Sequence, residues 1–113
     1  MEIESYSFGR VVINGKVYEK DLIIFPRRIK ENWWRKEGHE LNPEDIKEVL
    51  KEKPKMLIVG TGAYGLLKVK EETKKILERN NIKLLELETK KACEFYNKLK
   101  DKNGVILALH LTC

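Results

Sequence analysis

Met56-Leu57-Ile58-Val59-Gly60-Thr61-Gly62-Ala63-Tyr64-Gly65 decides how this chain is read. A short apolar run enters a glycine-rich turn, which predicts a buried strand followed by a tight change of direction. Gly60, Gly62 and Gly65 match the spacing of the dinucleotide-binding fingerprint, in which glycines let the backbone approach a pyrophosphate. Three readings stay open: a dinucleotide site, a site for a small ligand or anion, and a purely structural turn. The dinucleotide reading needs an acidic residue about 20 positions on to hold a ribose. Glu86 and Glu88 fall late for that role. Leu66 to Val69 also separates the last glycine from the next helix, so the helix start need not aim at the turn.

Working outward, the flanks alternate between strand and helix signals. Tyr6 to Ile13 alternates loosely, and Asn14-Gly15 predicts a two-residue type I′ turn into a return strand over Lys16 to Glu19. Asp21 to Phe25 reads as a short apolar strand stopped by Pro26. A further short strand is expected around Trp33. Asn42-Pro43-Glu44-Asp45 is a helix start: a capping residue, proline at the first position, then two acids facing the dipole. Ile46, Val49 and Leu50 give that helix one apolar face, and Pro54 ends it. Beyond the glycine turn, a helix is predicted over Lys70 to Arg79 and a strand over Ile82 to Leu87. A third helix, capped by Thr89, faces inward through Ala92, Phe95, Tyr96 and Leu99. Asn103-Gly104 then turns into a last strand, Val105 to Leu111. The second half therefore runs β-α-β-α-β, which calls for crossovers and a mainly parallel sheet.

The 113 residues fit one domain, 1–113, with no linker or repeat. A second nucleotide-binding half does not fit in that length. No apolar run approaches the roughly 20 residues that span a bilayer, so no membrane role is expected. The start, Met1-Glu2-Ile3-Glu4, does not resemble a secretion signal. Two cysteines without metal spacing fit a reduced, cytoplasmic setting. The absence of glutamine and the abundance of Lys, Glu and Ile are thermophile-like. The net charge of +5 arises in the second half, where residues 54–113 carry 12 basic and 7 acidic side chains. Those lysines interleave with glutamates as on a solvated helix face, and no aromatic-basic motif accompanies them, so nucleic acid is not the expected partner.

Chemistry-bearing residues are sparse. His39 and His110 are the only histidines. His110 alternates with apolar neighbours and reads as an exposed or structurally satisfied strand residue. Cys93, on a mostly apolar helix face, reads as an inert core thiol rather than a nucleophile. No HxxxH, CxxC or Asp/Glu-His cluster appears, so no metal, cofactor or catalytic residue is expected. Trp33 and Trp34 would face opposite ways on a strand. Either one is an exposed anchor beside Arg27, Arg28 and Arg35 for a protein partner, or both pack on the domain itself.

Taken together, Ile13-Asn14-Gly15, Tyr18, the strand ending at Pro26, Trp33-Trp34, Val59-Gly60-Thr61-Gly62 and Thr89-x-x-Ala92-Cys93-x-Phe95-Tyr96-Asn97 resemble the Mth-nine-three-eight domain family. The resemblance covers roughly Tyr6 to Leu109. It implies a three-layer β+β/α fold, α/β in class. Its central sheet is mixed and partly parallel, beside an N-terminal β-hairpin layer. It implies no established activity; the eukaryotic relatives are an adipogenesis-associated domain protein and an assembly factor of mitochondrial respiratory complex I. The matched positions Gly60, Thr61, Gly62, Thr89, Cys93 and Asn97, with Arg27, are the candidate ligand-binding residues. A non-catalytic binding or assembly domain is the leading expectation. The alternative is a small-molecule or anion-binding protein, or an enzyme of unknown activity, using the Gly60-Thr61-Gly62 turn.

Overall fold

The glycine run ends strand β7 (Met56–Thr61), which lies inside a five-stranded sheet. The computed structural model describes residues 1–113. Strand β10 (Val105–His110) runs parallel to β7 on one side, and β9 (Lys83–Leu87) runs parallel on the other. On the far side of β10, β4 (Leu22–Ile24) pairs antiparallel, and β5 (Ile29–Lys30) pairs antiparallel to β4. The order is β5-β4-β10-β7-β9. Every residue of β10 is buried, because the sheet is covered on both faces. That is why Val105-Ile106-Leu107-Ala108-Leu109 is continuously apolar rather than alternating.

Two crossovers build the parallel part. α2 (Glu71–Arg79) carries the chain from β7 to β9, and α3 (Thr89–Lys98) carries it from β9 back past β7 to β10. The crossovers travel in opposite directions across the sheet, so a common right-handed turn places their helices on opposite faces. Leu77 of α2 accordingly packs with Val49, Leu57, Val59 and Ile106 in one core. Ala92, Cys93 and Tyr96 of α3 pack with Ile58, Leu107 and Leu109 in the other.

The N-terminal strands β1 (Ile3–Ser7), β2 (Arg10–Ile13) and β3 (Lys16–Tyr18) form a separate antiparallel sheet. Asn14 and Gly15 both have positive φ, 49° and 80°, as the I′ turn between β2 and β3 requires. Ile3, Val11 and Ile13 drive this sheet onto the α3 side. The result is three layers: helices, the five-stranded sheet, then the hairpin sheet with α3. The fold class matches the expectation.

Local details differ from it in six places. Tyr6 to Ile13 is not one strand: a turn at Phe8-Gly9, with φ 76° at Gly9, separates β1 from β2. Thr89 is not the cap of α3 but its first residue, after Glu88, and its hydroxyl bonds Gly62 and His110 instead. The segment around Trp33 is not a strand; it is a loop held by the Trp33 N–H on the Asp21 carbonyl (2.8 Å) and by the indole Nε1 on the Asp45 carbonyl (3.0 Å). The helix begun at Asn42 opens with a 3-10 turn, Pro43–Ile46, before α1 (Lys47–Glu52). Its start is fixed by Asp45, whose Oδ2 accepts the Asn42 N–H at 2.8 Å. Two two-residue strands, β6 (Glu40–Leu41) and β8 (Lys68–Val69), pair in parallel and account for the delay between the glycine turn and α2. Phe95 is exposed, because the inward stripe of α3 runs through Thr89, Ala92, Cys93 and Tyr96 instead. No helix is long and apolar enough to cross a membrane.

Candidate functional site

In open α/β sheets, ligands bind outside the carboxyl ends of the parallel strands, where strand order reverses. Here that place lies between β7 and β10, and the glycine turn stands at its edge. Gly60 is glycine because a Cβ would come 2.8 Å from Leu109 Cδ2 and 3.0 Å from Thr89 Oγ1. Gly62 has φ +105°, and a Cβ there would overlap the Cys113 backbone. The fully buried Thr89 joins the strand ends: its Oγ1 accepts the Gly62 N–H (2.8 Å) and donates to the His110 carbonyl (2.6 Å). Thr61 Oγ1 donates to the Leu87 carbonyl at 3.1 Å.

The structure brings Gly60, Thr61, Gly62 and Thr89 together, and the chain's own last residues cover them. The Ala63 N–H donates to the Thr112 carbonyl (2.6 Å), and the Tyr64 and Leu66 N–H groups both donate to the Cys113 carbonyl (3.3 and 3.1 Å). Cys93 and Asn97 lie elsewhere, along α3 against β1. Asn97 behaves as a surrogate strand partner: its Oδ1 accepts the Ile3 N–H (3.0 Å) and its Nδ2 donates to the Ile3 carbonyl (2.7 Å). Burial, with the Glu94 charge, pushes the Cys93 thiol up to about 12. Arg27 is exposed and follows β4, whose end lies beside the start of β10, at the opposite end of the sheet from the glycine turn.

A cluster that no local motif signals lies beside the turn. Asp21, just before β4, meets His110 at the end of β10 and Arg35 from the Trp33 loop. His110 Nδ1 is 2.7 Å from Asp21 Oδ2, so the carboxylate fixes the ring proton on Nδ1. Arg35 Nη1 forms an ion pair with the same oxygen at 2.8 Å. Arg35 Nη2 donates to the Gly38 carbonyl (3.1 Å) and lies 3.1 Å from His110 Nδ1. The Leu111 N–H donates to Asp21 Oδ1 at 2.8 Å. Burial pushes the Asp21 carboxyl up, but the bonds from His110, Leu111 and Arg35 together outweigh it and hold it below its ordinary value. The Arg35 guanidinium also covers the Trp33 ring, 4.8 Å from its centroid. Arg35 Nε and His110 Nε2 are buried without partners. His110 is thus neither exposed nor fully satisfied, and an Asp-His pair does exist, made by tertiary contact.

Above this cluster opens a cavity of about 590 Å³, walled by Lys20, Asp21, Trp33, Trp34, Arg35 and Lys36 among others, with Leu111 and Thr112 on the sheet side. Trp33 is 4% exposed and Trp34 is 89% exposed. Phe8 and Tyr64, also exposed, pair with ring centroids 6.1 Å apart. Their turns adjoin the same last residues: the Gly9 N–H donates to the Leu111 carbonyl at 2.8 Å.

Residues 3–110 match the family described as "Protein of unknown function (DUF498/DUF598)". The chain belongs to this family. A conserved hypothetical protein, PH1505, from Pyrococcus horikoshii OT3 is 34% identical, with full coverage of both chains and a TM-score of 0.85. A structure titled MT938 is 25% identical, covers 99% of this chain and 98% of its own, and has a TM-score of 0.80. A Bordetella pertussis protein described as a Mth938-like domain shares the fold at 18% identity and a TM-score of 0.68, over 97% of this chain and 85% of its own. The DUF498/DUF598 chain is therefore Mth938-like, as the motifs imply, with a heat-loving organism among its relatives' sources. Asp21 and Arg35 escape a reading by motif because they stand 89 and 75 positions from His110. The signal available was an acid immediately ahead of an apolar strand and an arginine directly after two tryptophans.

Proposed function

We propose that this domain is a non-catalytic binding protein, cytoplasmic in setting, whose binding face is the carboxyl end of the central sheet. The observation that carries this reading is the cavity of about 590 Å³ beside a tryptophan that is 89% exposed. That volume lies in the range of about 300–1,000 Å³ usual for small-molecule sites. Trp and Arg are among the side chains enriched at the points that carry binding energy. The groups that would do covalent or acid-base chemistry are poorly placed for it. Cys93 is held as the thiol, which is not the nucleophile. His110 has its Nδ1 engaged by Asp21, and its Nε2 is buried away from solvent. Phe8 and Tyr64 form a separate exposed aromatic pair, which suits an assembly role of the kind the eukaryotic relatives suggest.

The alternative places an anion on Gly60, Thr61 and Gly62. The neighbouring amides of Ala63, Tyr64 and Leu66 already hold carbonyl oxygens of Thr112 and Cys113, so an anion there would displace the chain's own backbone. A thermal-shift screen against a metabolite library, run on the wild type and Trp34→Ala together, tests the main reading. Shifts that vanish with Trp34, and no turnover of any compound, are expected. A reproducible turnover lost in a folded His110→Ala or Thr61→Ala variant would overturn it.

A further inference from the structure

We propose that the cavity beside Trp34 takes a small planar anion: an aromatic ring carrying one carboxylate or phosphate group. This deepens the binding-domain reading and rests on it.

The ring requirement comes from the two tryptophans, which are not equivalent. Trp33 is already engaged: its indole N–H is bonded to the Asp45 carbonyl and Arg35 covers its ring. Trp34, its neighbour on the cavity wall, keeps its ring in solvent. A flat apolar ligand laid on Trp34 buries both surfaces at little conformational cost, because the indole has only two side-chain torsions to fix.

The charge requirement comes from counting what remains free. Asp21 lines the cavity, but Oδ1 is occupied by the Leu111 N–H and Oδ2 by His110 and Arg35. Arg35 is neutralised by the same contact. Lys20 and Lys36 line the cavity and take part in none of the molecule's ion pairs. Glu19 is the one acid on the wall left to oppose them. The uncommitted charge is therefore net positive, from two ammonium groups on flexible stems, which suit a compact anionic head. A cationic ligand would meet two unpaired lysines. A neutral apolar one would desolvate them without compensation. Asn32, on the rim with φ +54°, adds one amide donor pair and one acceptor for ring heteroatoms.

The test is a tryptophan-fluorescence titration, with thermal shift as a second readout. The probes are adenosine monophosphate, adenosine, inorganic phosphate and indole-3-carboxylate, each at low and high salt. Compounds holding both ring and anion should bind and perturb the emission. Trp34→Ala should weaken binding about tenfold, the usual scale for loss of one stacking platform. Lys20→Ala/Lys36→Ala should weaken it and abolish its salt dependence. All these side chains are exposed or rim-placed, so the variants should keep the wild-type melting temperature. Phosphate or adenosine binding as well as adenosine monophosphate, or affinity unmoved by Trp34→Ala, overturns the proposal. If a neutral or cationic library compound instead gives the Trp34-dependent shift, this inference falls while the binding-domain reading stands. If no compound gives one, both fall.

Discussion

Replacing Asp21 by alanine removes three contacts at once: the Leu111 N–H at 2.8 Å, the His110 Nδ1 at 2.7 Å and the Arg35 Nη1 at 2.8 Å. The larger effect is what it leaves behind. The Arg35 side chain is 5% exposed, so a positive charge would remain buried without a carboxylate, left with the Gly38 carbonyl, the His110 ring and the Trp33 face. Breaking one side of a buried ion pair costs about 3–5 kcal/mol. For a chain of this length that lowers the melting temperature by roughly 12–20 °C. Guanidinium unfolding followed by far-UV circular dichroism should show a lower midpoint with an unchanged slope, the mark of lost stability rather than a changed denatured state. Arg35→Met in the Asp21→Ala background removes the stranded charge and should recover a large part of the loss, because a buried pair exchanged for apolar groups is often near neutral. An Asp21→Ala loss below about 0.5 kcal/mol, the scale of a surface ion pair, would refute the picture. So would an Arg35→Met change that merely adds to the damage.

The same geometry sets three more outcomes. The Asp21 carboxyl is held below its ordinary value, so its contribution is full above the unfolded-state pKa and fades as pH falls through the lower folded value; acid unfolding should flatten in Asp21→Asn relative to wild type, and equal acid limbs would contradict it. At pH 8 a thiol reagent should label Cys113 in the native protein and reach Cys93 only on unfolding, because burial pushes the Cys93 thiol up to about 12; two equally fast thiols would be the adverse result. Thr89→Val should cost about 1–3 kcal/mol for each of the two buried groups it leaves unpaired, the Gly62 N–H and the His110 carbonyl; the serine variant should restore most of that, measured by the same denaturation.

Where a structural cause is local, the sequence announces it. Asn14-Gly15 specifies its turn because both positions need positive φ. Asn42 to Asp45 specifies a helix start because the unpaired amides need a nearby oxygen. Gly60 and Gly62 are visible as glycines, but the reason for them is not. It lies in the approach of Thr89, Leu109 and Cys113, which no spacing rule encodes. Strands of two residues, such as Glu40–Leu41 and Lys68–Val69, show no period at all; only their mutual pairing defines them. Phe95 reads as inward because apolar residues at helical spacing usually are, yet the stripe chosen by packing lies one step round the helix. The cavity and the Asp21-Arg35-His110 cluster beside it are tertiary products throughout, assembled from the start of β4, one loop and the end of β10.

The position of β10 has a consequence for how the molecule comes into being. It is the last strand along the chain, yet it lies between β4 and β7. A ribosome releasing this protein delivers the hairpin layer, β4, α1, β7 and β9 before the strand that joins them exists. Until then β4 and β7 have no neighbour between them, and their apolar edges stand open to other chains. The central sheet therefore cannot close until β10 has been made, and its decisive contacts close loops as long as the 89 positions between Asp21 and His110. A nascent chain stalled before Val105 should stay protease-sensitive and chaperone-bound throughout its length, rather than carrying a finished N-terminal half.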